Sequence, residues 1–410
     1  MSKHILEEAN RCLLCKKPLC KAGCPVATPI NEVIKLLIDG EIEQAGAKLF
    51  LNNPLSVVCS LICPHEKFCE GHCVLNRKGS PIHFSSIENY ISEYFLDKVV
   101  PEVAARKQQK IAIVGSGPAG ITVAFALALK GYDITIFESE DKIGGVMQYG
   151  IPDFRLPKVI LEKIKKTLLQ MNIKIRPNIM IGPLLTLEDL FRDGYRAIFI
   201  GTGVWQPRTL GIKGESLGHV HYAINYLKNP DVYDLGKTVA IIGAGNVAMD
   251  VARTAIRKGS RDVNILFFRG EHEVTANQFD FEYAKIDGVK FHYYTAPVEI
   301  VDAGVSYVHV NEHIDAEGNK SYSNSEEIAI FNADSVIIAI SQNPRSNIVD
   351  SNEGLKTNDY GLLITDATGR TTREGVFASG DVVTGAKTVV EAVSISKRTA
   401  QAIDDYVMGN

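Results

Sequence analysis

Eight cysteines lie within the first 73 of 410 residues, and none follows. They form two quartets. Cys12, Cys15, Cys20 and Cys24 are spaced C-x2-C-x4-C-x3-C, with Pro25 next; Cys59, Cys63, Cys69 and Cys73 are spaced C-x3-C-x5-C-x3-C, with Pro64 after Cys63. Thiolates are soft ligands, and eight of them suffice for two four-iron clusters. Zinc is the rival, but structural zinc sites usually show paired C-x2-C knuckles, and only Cys12 and Cys15 have that spacing. In cluster ferredoxins the closing Cys-Pro of a run ligates the other cluster, which assigns Cys12, Cys15 and Cys20 to one centre and sends Cys24 to join thiols of the second quartet. Buried free thiols account for one or two cysteines, not for two spaced quartets.

Two glycine loops follow. Gly115, Gly117 and Gly120 fit G-x-G-x-x-G directly after the apolar run KIAIV, and a helical pattern and a second strand, YDITIFES, come next. In such a loop the first glycine allows a tight turn, the second lets a pyrophosphate approach the backbone, and the third lets helix pack on strand. Glu138 ends the second strand, where a carboxylate can accept from both ribose hydroxyls. The pattern recurs as Gly243, Gly245 and Ala248, again between strand and helix. There the matching strand ends on Phe268 and Arg269 in place of an acid. A cation suits a 2′-phosphate, but Arg269 can equally be a solvated surface residue, and Glu271 two residues on can still take a ribose hydroxyl, so NADH and NADPH both remain open. Near the C-terminus Asp381, in ASGD, ends a strand before a helix that starts near Thr388. A carboxylate there can bond ribityl hydroxyls or merely cap a helix.

These residues need elements to hold them. Residues 1–97 carry apolar positions at three-and-four spacing (INEVIKLLIDGEIEQAGAKLFL, SSIENYISEYFLDK), which predicts a helical domain whose small core is supplemented by metal ligation. A polar linker, 98–110, follows. Two strand–loop–helix–strand units predict two nucleotide-binding domains, at 109–229 with 342–410 and at 230–341, the second inserted in the first. The expected fold class is α/β: a helical N-terminal iron–sulfur domain followed by two Rossmann-like domains.

Bulk properties narrow the classes. A formal net charge of −4 argues against a nucleic-acid partner. No run of about 18 uncharged apolar residues occurs, so no membrane span is expected. MSKHILEEAN has no apolar leader core, so a cytoplasmic location is expected, and with it reduced thiols in place of a disulfide framework.

RCLLC, VCSLICPHEKFCEGHC, GSGPAG, GGVMQYGIPDFRLPK, GAGNVAMDVA and FASGDVVTGAKTVVEAV together resemble one family along the whole chain. It is the group of bacterial glutamate synthase small subunits, the flavoprotein part of dihydropyrimidine dehydrogenase, and the large subunit of electron-bifurcating ferredoxin:NADP oxidoreductases. The resemblance implies FAD at Gly115, Gly117, Pro118, Ala119, Gly120, Glu138, Gly145, Thr202, Gly203, Gly380, Asp381, Thr388 and Val389. It implies NAD(P)H at Gly243, Gly245, Asn246, Val247 and Arg269, and two [4Fe–4S] clusters in front. Members ligate one cluster with three cysteines and a Gln or Glu, which PIHFSSIE aligns with Glu88. That leaves Cys24, Cys63, Cys69 and Cys73 for the second cluster, puts Glu88 with Cys12, Cys15 and Cys20, and makes Cys59 a packed thiol; counting thiols alone makes Cys59 the eighth ligand. The chain departs from the pattern at GTG (201–203) for ATG, at Ser341 for a glycine in AISQNPRSN, and at Phe268 for one of two paired arginines.

The implied activity is an NAD(P)H-dependent oxidoreductase subunit, of dihydropyrimidine dehydrogenase type, passing electrons through FAD and clusters to a catalytic partner subunit or ferredoxin-like acceptor. A glutamate synthase or bifurcating subunit is the alternative, and a hetero-oligomer is expected. Cofactor chemistry requires no catalytic side chain. The lack of any cysteine after Cys73 argues against a self-contained disulfide reductase. A non-enzymatic iron–sulfur redox sensor would keep the same motifs for binding alone.

Overall fold

A computed structural model describes residues 3–98, 101–315 and 317–409. The N-terminal segment is helical. Helix α1 (Ile30–Ile38) buries Ile30, Val33, Ile34 and Leu37, one stripe at helical spacing. Helices α2 (Ile42–Asn52), α3 (Ser56–Ile62) and α4 (Phe84–Lys98) close around it. Leu37, Leu49, Ile87 and Ile91 form the shared core, and Cys12, Cys20, Cys69 and Cys73 pack against or into it. Gly46 lets α2 approach α4: a Cβ there would stand 2.7 Å from the Phe95 Cβ. Among the described residues no single helix is long and apolar enough to cross a membrane.

The chain divides into two compact units, residues 1–148, 153–204 and 343–410 in one, and 149–152 and 205–342 in the other. The first holds the helical segment and a five-stranded parallel sheet. Its strands are β1 (Lys110–Val114), β2 (Asp133–Phe137), β3 (Lys174–Arg176), β4 (Tyr195–Ile200) and β5 (Val376–Ala378), in the order β5-β4-β1-β2-β3. The β1 strand is buried from Ile111 to Val114, as a parallel strand covered on both faces must be. Helix α5 (Pro118–Leu129) follows β1 and is apolar nearly all round, because the C-terminal helix α6 (Val389–Met408) packs against it.

The second unit repeats the arrangement with strands Val220–Tyr222, Ser335–Ile338, Thr238–Ile242, Asp262–Leu266 and Lys290–His292 in that spatial order, all parallel. It adds a three-stranded antiparallel sheet, Thr295–Val301, Gly304–Ile314 and Lys320–Asn332. Residues 205–229 belong to this unit, although the sequence pattern placed them with the first. The reason is the short edge strand Val220–Tyr222, which pairs with Ser335–Ile338 and carries no periodicity of its own.

Candidate functional site

The cysteines gather around two cavities. Cys12, Cys15, Cys20 and Cys73 line the first, together with Ile34, Ile82 and Phe84. Cys24, Cys59, Cys63, Cys69 and Glu88 line the second, and Cys69 also borders the first. All eight thiols are free. Burial pushes the Cys20 thiol up to about 11, and Cys73, Cys12 and Cys15 add to the rise as nearby acids. Burial likewise raises Cys12, while the Leu14 amide donates to its sulfur. Cys69 is raised by burial and then by Glu88, Glu70 and Cys24.

This grouping corrects the division drawn from the resemblance. Cys73 stands with Cys12, Cys15 and Cys20, and Glu88 stands with Cys24, Cys63 and Cys69. The loop from Pro64 to Cys73 folds back over the first quartet, a long-range closure that cysteine spacing does not encode. Cys59 also reaches the second cavity. Buried in the middle of α3, its thiol is kept below the usual range by a hydrogen bond with Cys63, and it sits within reach of the Asn53 side chain.

The cavities suit polynuclear centres. Among the described residues no three His, Cys, Asp or Glu side chains are gathered so as to hold one metal ion, while Cys12, Cys15, Cys20 and Cys73 line the first cavity and Cys24, Cys63, Cys69 and Glu88 line the second, one ligand for each iron of a four-iron centre. Glu88 is 5% exposed, and burial pushes its carboxyl well above the usual range, with Cys59 and Glu70 adding to the rise. Carboxylates are almost never buried unless paired, and an iron ion bound between these groups would provide the missing positive charge.

In the same unit the first glycine loop brings its expected residues together. Gly115 has φ +97, and a Cβ there would stand 2.6 Å from the Gly201 carbonyl oxygen and 3.3 Å from the Thr202 Cα. A Cβ at Gly120 would meet the Gly115 oxygen at 2.0 Å, so helix packs on strand only without one. Gly117 is different: a Cβ there would find no atom closer than 4.0 Å, the open side that a pyrophosphate needs. Gly117 also precedes Pro118 at the start of α5, where no side chain caps the helix, leaving first-turn amides for an anion. Gly145 and Gly380 close the same spot, their added Cβ atoms falling 2.8 Å from the Gly117 Cα and 2.9 Å from the Ala119 Cβ.

Glu138 follows β2 and accepts hydrogen bonds from the Ser116 N–H at 2.9 Å, the Ser116 hydroxyl at 2.5 Å and the Glu140 N–H at 2.9 Å. Ser116 thus fixes the acid that faces the loop, a role the fingerprint's variable position does not advertise. Asp381 begins a short helix and accepts from the Lys387 N–H at 3.2 Å; burial lifts its carboxyl to about 6. Thr388 and Glu391 form a capping box on α6. The Thr388 hydroxyl is therefore spent on the Glu391 amide, and of the first-turn amides those of Val389 and Val390 remain to face a ligand.

One turn of α6 serves both sites. Thr388 and Val389 stand at the expected flavin end, and Val390 lines the cavity of Cys24, Cys63, Cys69 and Glu88. Sequence reading missed Thr28, four residues from Cys24, and Val390, Asn52 and Lys397, which reach its surroundings only through the fold.

In the second unit Gly243 has φ +119, and a Cβ there would meet the Ala339 carbonyl oxygen at 2.4 Å. Gly245 opens the helix Asn246–Arg257, which contains Val247, and Asn246 accepts from the Asn277 N–H at 2.7 Å. Arg269 is half-exposed, 3.7 Å from Glu273 and stacked over the Phe268 and Tyr322 rings. Glu271 is bound by Lys285 at 2.5 Å, so of the two residues weighed for the ribose end, Arg269 is the less committed.

Comparison with known proteins agrees with this geometry. Residues 109–396 match the pyridine nucleotide-disulphide oxidoreductase family, and residues 1–100 match the dihydropyrimidine dehydrogenase domain II, 4Fe-4S cluster family. The glutamate synthase [NADPH] small chain of Azospirillum brasilense is 33% identical over 98% of this chain and 88% of its own. The NAD-dependent dihydropyrimidine dehydrogenase subunit PreT of Salmonella typhimurium is 30% identical over 98% of this chain and 94% of its own. Among solved structures, Mycobacterium tuberculosis FprA in complex with NADPH shares the fold, with a TM-score of 0.63 at 18% identity over 74% of this chain and 85% of that one. An NAD(P)H-dependent flavoprotein oxidoreductase with FAD and [4Fe–4S] sites, the chain belongs to the pyridine nucleotide-disulphide oxidoreductase family, in the group that sets a cluster-binding domain before the nucleotide-binding folds.

Proposed function

We propose that this chain is the electron-input subunit of a larger enzyme, with two four-iron centres, one at Cys12, Cys15, Cys20 and Cys73 and one at Cys24, Cys63, Cys69 and Glu88. The observation that carries the proposal is the shared turn of α6, where Val390 borders the second cavity directly after the expected flavin contacts Thr388 and Val389. When bound, FAD would supply the change from a two-electron hydride to single electrons, and iron–sulfur centres at the two cavities would supply one-electron carriers. The chain's own residues place and tune these groups. Gly117 opens the backbone to the pyrophosphate, Glu138 waits for ribose hydroxyls, and Asp381 offers a buried carboxylate to ribityl hydroxyls. Arg269 is the cation available for a 2′-phosphate, which favours NADPH over NADH.

The first cavity serves as the exit. Leu13 and Leu19 beside it are exposed by 62% and 46%, as suits a face that meets a partner. The partner would hold the acceptor site, of dihydropyrimidine dehydrogenase type as favoured reading and of glutamate synthase type as the alternative. Anaerobic purification from the native host, followed by mixing with NADH or NADPH, tests the proposal. A co-purifying subunit, a bleached flavin and reduced clusters are expected. A yellow protein that travels alone and keeps its clusters oxidised with either nucleotide would overturn it.

A further inference from the structure

A hydrogen-bonded chain runs from α6 to a thiol of the second cavity. The Lys397 ammonium donates to the Asn52 carbonyl oxygen at 2.6 Å and to Asn52 Oδ1 at 3.1 Å. Asn52 Nδ2 donates to Thr28 Oγ1 at 3.2 Å. Thr28 Oγ1 lies 3.3 Å from Cys24 Sγ. The directions are set by the groups themselves. An ammonium can only donate, so the Asn52 oxygen faces Lys397 and its amide N–H faces Thr28. The Thr28 oxygen is then the acceptor on that side, and its own hydrogen is left for the sulfur. Thr28 is buried and Lys397 is half-buried, so bulk water screens neither end fully. Every link thus points positive charge toward Cys24, with a cation at the far end. The adjoining Ser394 hydroxyl donates to the Pro25 carbonyl at 2.7 Å and fixes α6 against the same loop.

We infer that Lys397, Asn52 and Thr28 form a polarised relay that raises the reduction potential of the centre held by Cys24 and so makes it the electron acceptor next to the flavin. The inference rests on the proposal that Cys24 ligates a cluster. Its physical basis is general: a reduced cluster carries one more negative charge, and hydrogen bonds and cations directed at its sulfurs stabilise that form. Because the links polarise one another, cutting any one should weaken the others. Lys397 and Thr28 act through Cys24, as positioning and tuning residues.

The test uses the full chain, reconstituted anaerobically with iron and sulfide and titrated against potential with detection of each centre by electron paramagnetic resonance. Thr28→Val and Lys397→Met should each lower the reduced-to-oxidised ratio of one centre about tenfold at fixed potential, a shift of about 59 mV for one electron. The other centre should not move. Thr28→Ser and Lys397→Arg, which keep the hydroxyl and the charge, should restore the parent value, and the double variant should shift by less than the sum of the two. Unmoved potentials, equal shifts in both centres or simple additivity would overturn the relay. If Thr28→Val fails to fold, Lys397→Met and its arginine counterpart decide the matter. A parent protein with no acid-labile sulfide would instead sink the cluster assignment, before any variant is made.

Discussion

Ser394 on the C-terminal helix donates a hydrogen bond of 2.7 Å to the carbonyl of Pro25, the residue after Cys24. The cysteine loop is thereby tied to the helix whose first turn faces the expected flavin. Phe50 of α2 adds an edge-on contact to Phe125 of α5, their centroids 5.1 Å apart. Phe50 is 4% exposed. Phe50→Ala should therefore cost about 3 to 5 kcal/mol, read from denaturant unfolding, and Ser394→Ala about 1 kcal/mol. If the helical lobe and the flavin fold are as closely joined as these contacts show, Phe50→Ala should also slow electron arrival at the clusters while flavin reduction keeps its rate. Equal rates of both steps in the variant would argue against that.

Glu88 and Cys59 both reach the second cavity, and they separate by substitution. Cys59→Ser should keep its full iron and sulfide content, because the proposed ligand set leaves Cys59 as a packed thiol hydrogen-bonded with Cys63. Glu88→Ala should lose the iron and sulfide of one cluster, and Glu88→Gln should retain them with an altered potential, since an amide oxygen can still ligate. Metal and sulfide analysis of the three proteins decides between the residues; loss on Cys59→Ser with retention on Glu88→Ala would reverse the assignment.

Ser341 adopts φ +96, a region that L side chains rarely enter, at the position where the resembling family carries glycine. Its carbonyl accepts from the Arg208 N–H at 3.2 Å, which holds the backbone in place. Ser341→Gly should release strain and raise stability by about 1 kcal/mol, an increase in the thermal midpoint of the kind a scanning calorimeter resolves. A lower midpoint would mean that the serine side chain contributes more than its backbone costs.

Asp381 supplies a pH dependence. Burial lifts its carboxyl to about 6, well above the unfolded value near 4. Between those limits the folded chain without flavin holds a proton that the unfolded chain has released. Its contribution is thus fully present below pH 4 and is lost as pH rises through 6, at a cost of about 3 kcal/mol at neutrality. Flavin-free Asp381→Asn should then be more stable than the parent at pH 7.5, with the gap closing by pH 4. In the same variant FAD should bind more weakly. A stability gap that is constant with pH would rule out this carboxyl as the source.

Much of this site is legible in the sequence because its requirements are local. Gly115, Gly117 and Gly120 are demanded by a turn and two close approaches within six residues. Glu138 sits where a strand ends. The cysteine spacings announce thiolate ligation. Partition of the thiols is another matter, because Cys73 reaches Cys12 only through the fold of the loop that begins at Pro64. The relay from Lys397 to Cys24 spans most of the chain, through residue types that are ordinary at any surface. The boundary of the second unit was also hidden, since Val220–Tyr222 is too short to show a period and owes its place to the neighbouring strand.

The central claim is that electrons entering from a nicotinamide reach the Cys24 centre by way of the flavin inside one chain. Rapid mixing of the oxidised, cofactor-loaded protein with NADPH without oxygen, with freezing at successive times, observes both steps together. The flavin absorbance should fall first, and the paramagnetic signal of one cluster, the one abolished by Cys24→Ser, should rise at the rate at which the flavin gives up its electrons. A flavin that stays reduced beside clusters that never acquire a signal would contradict the account.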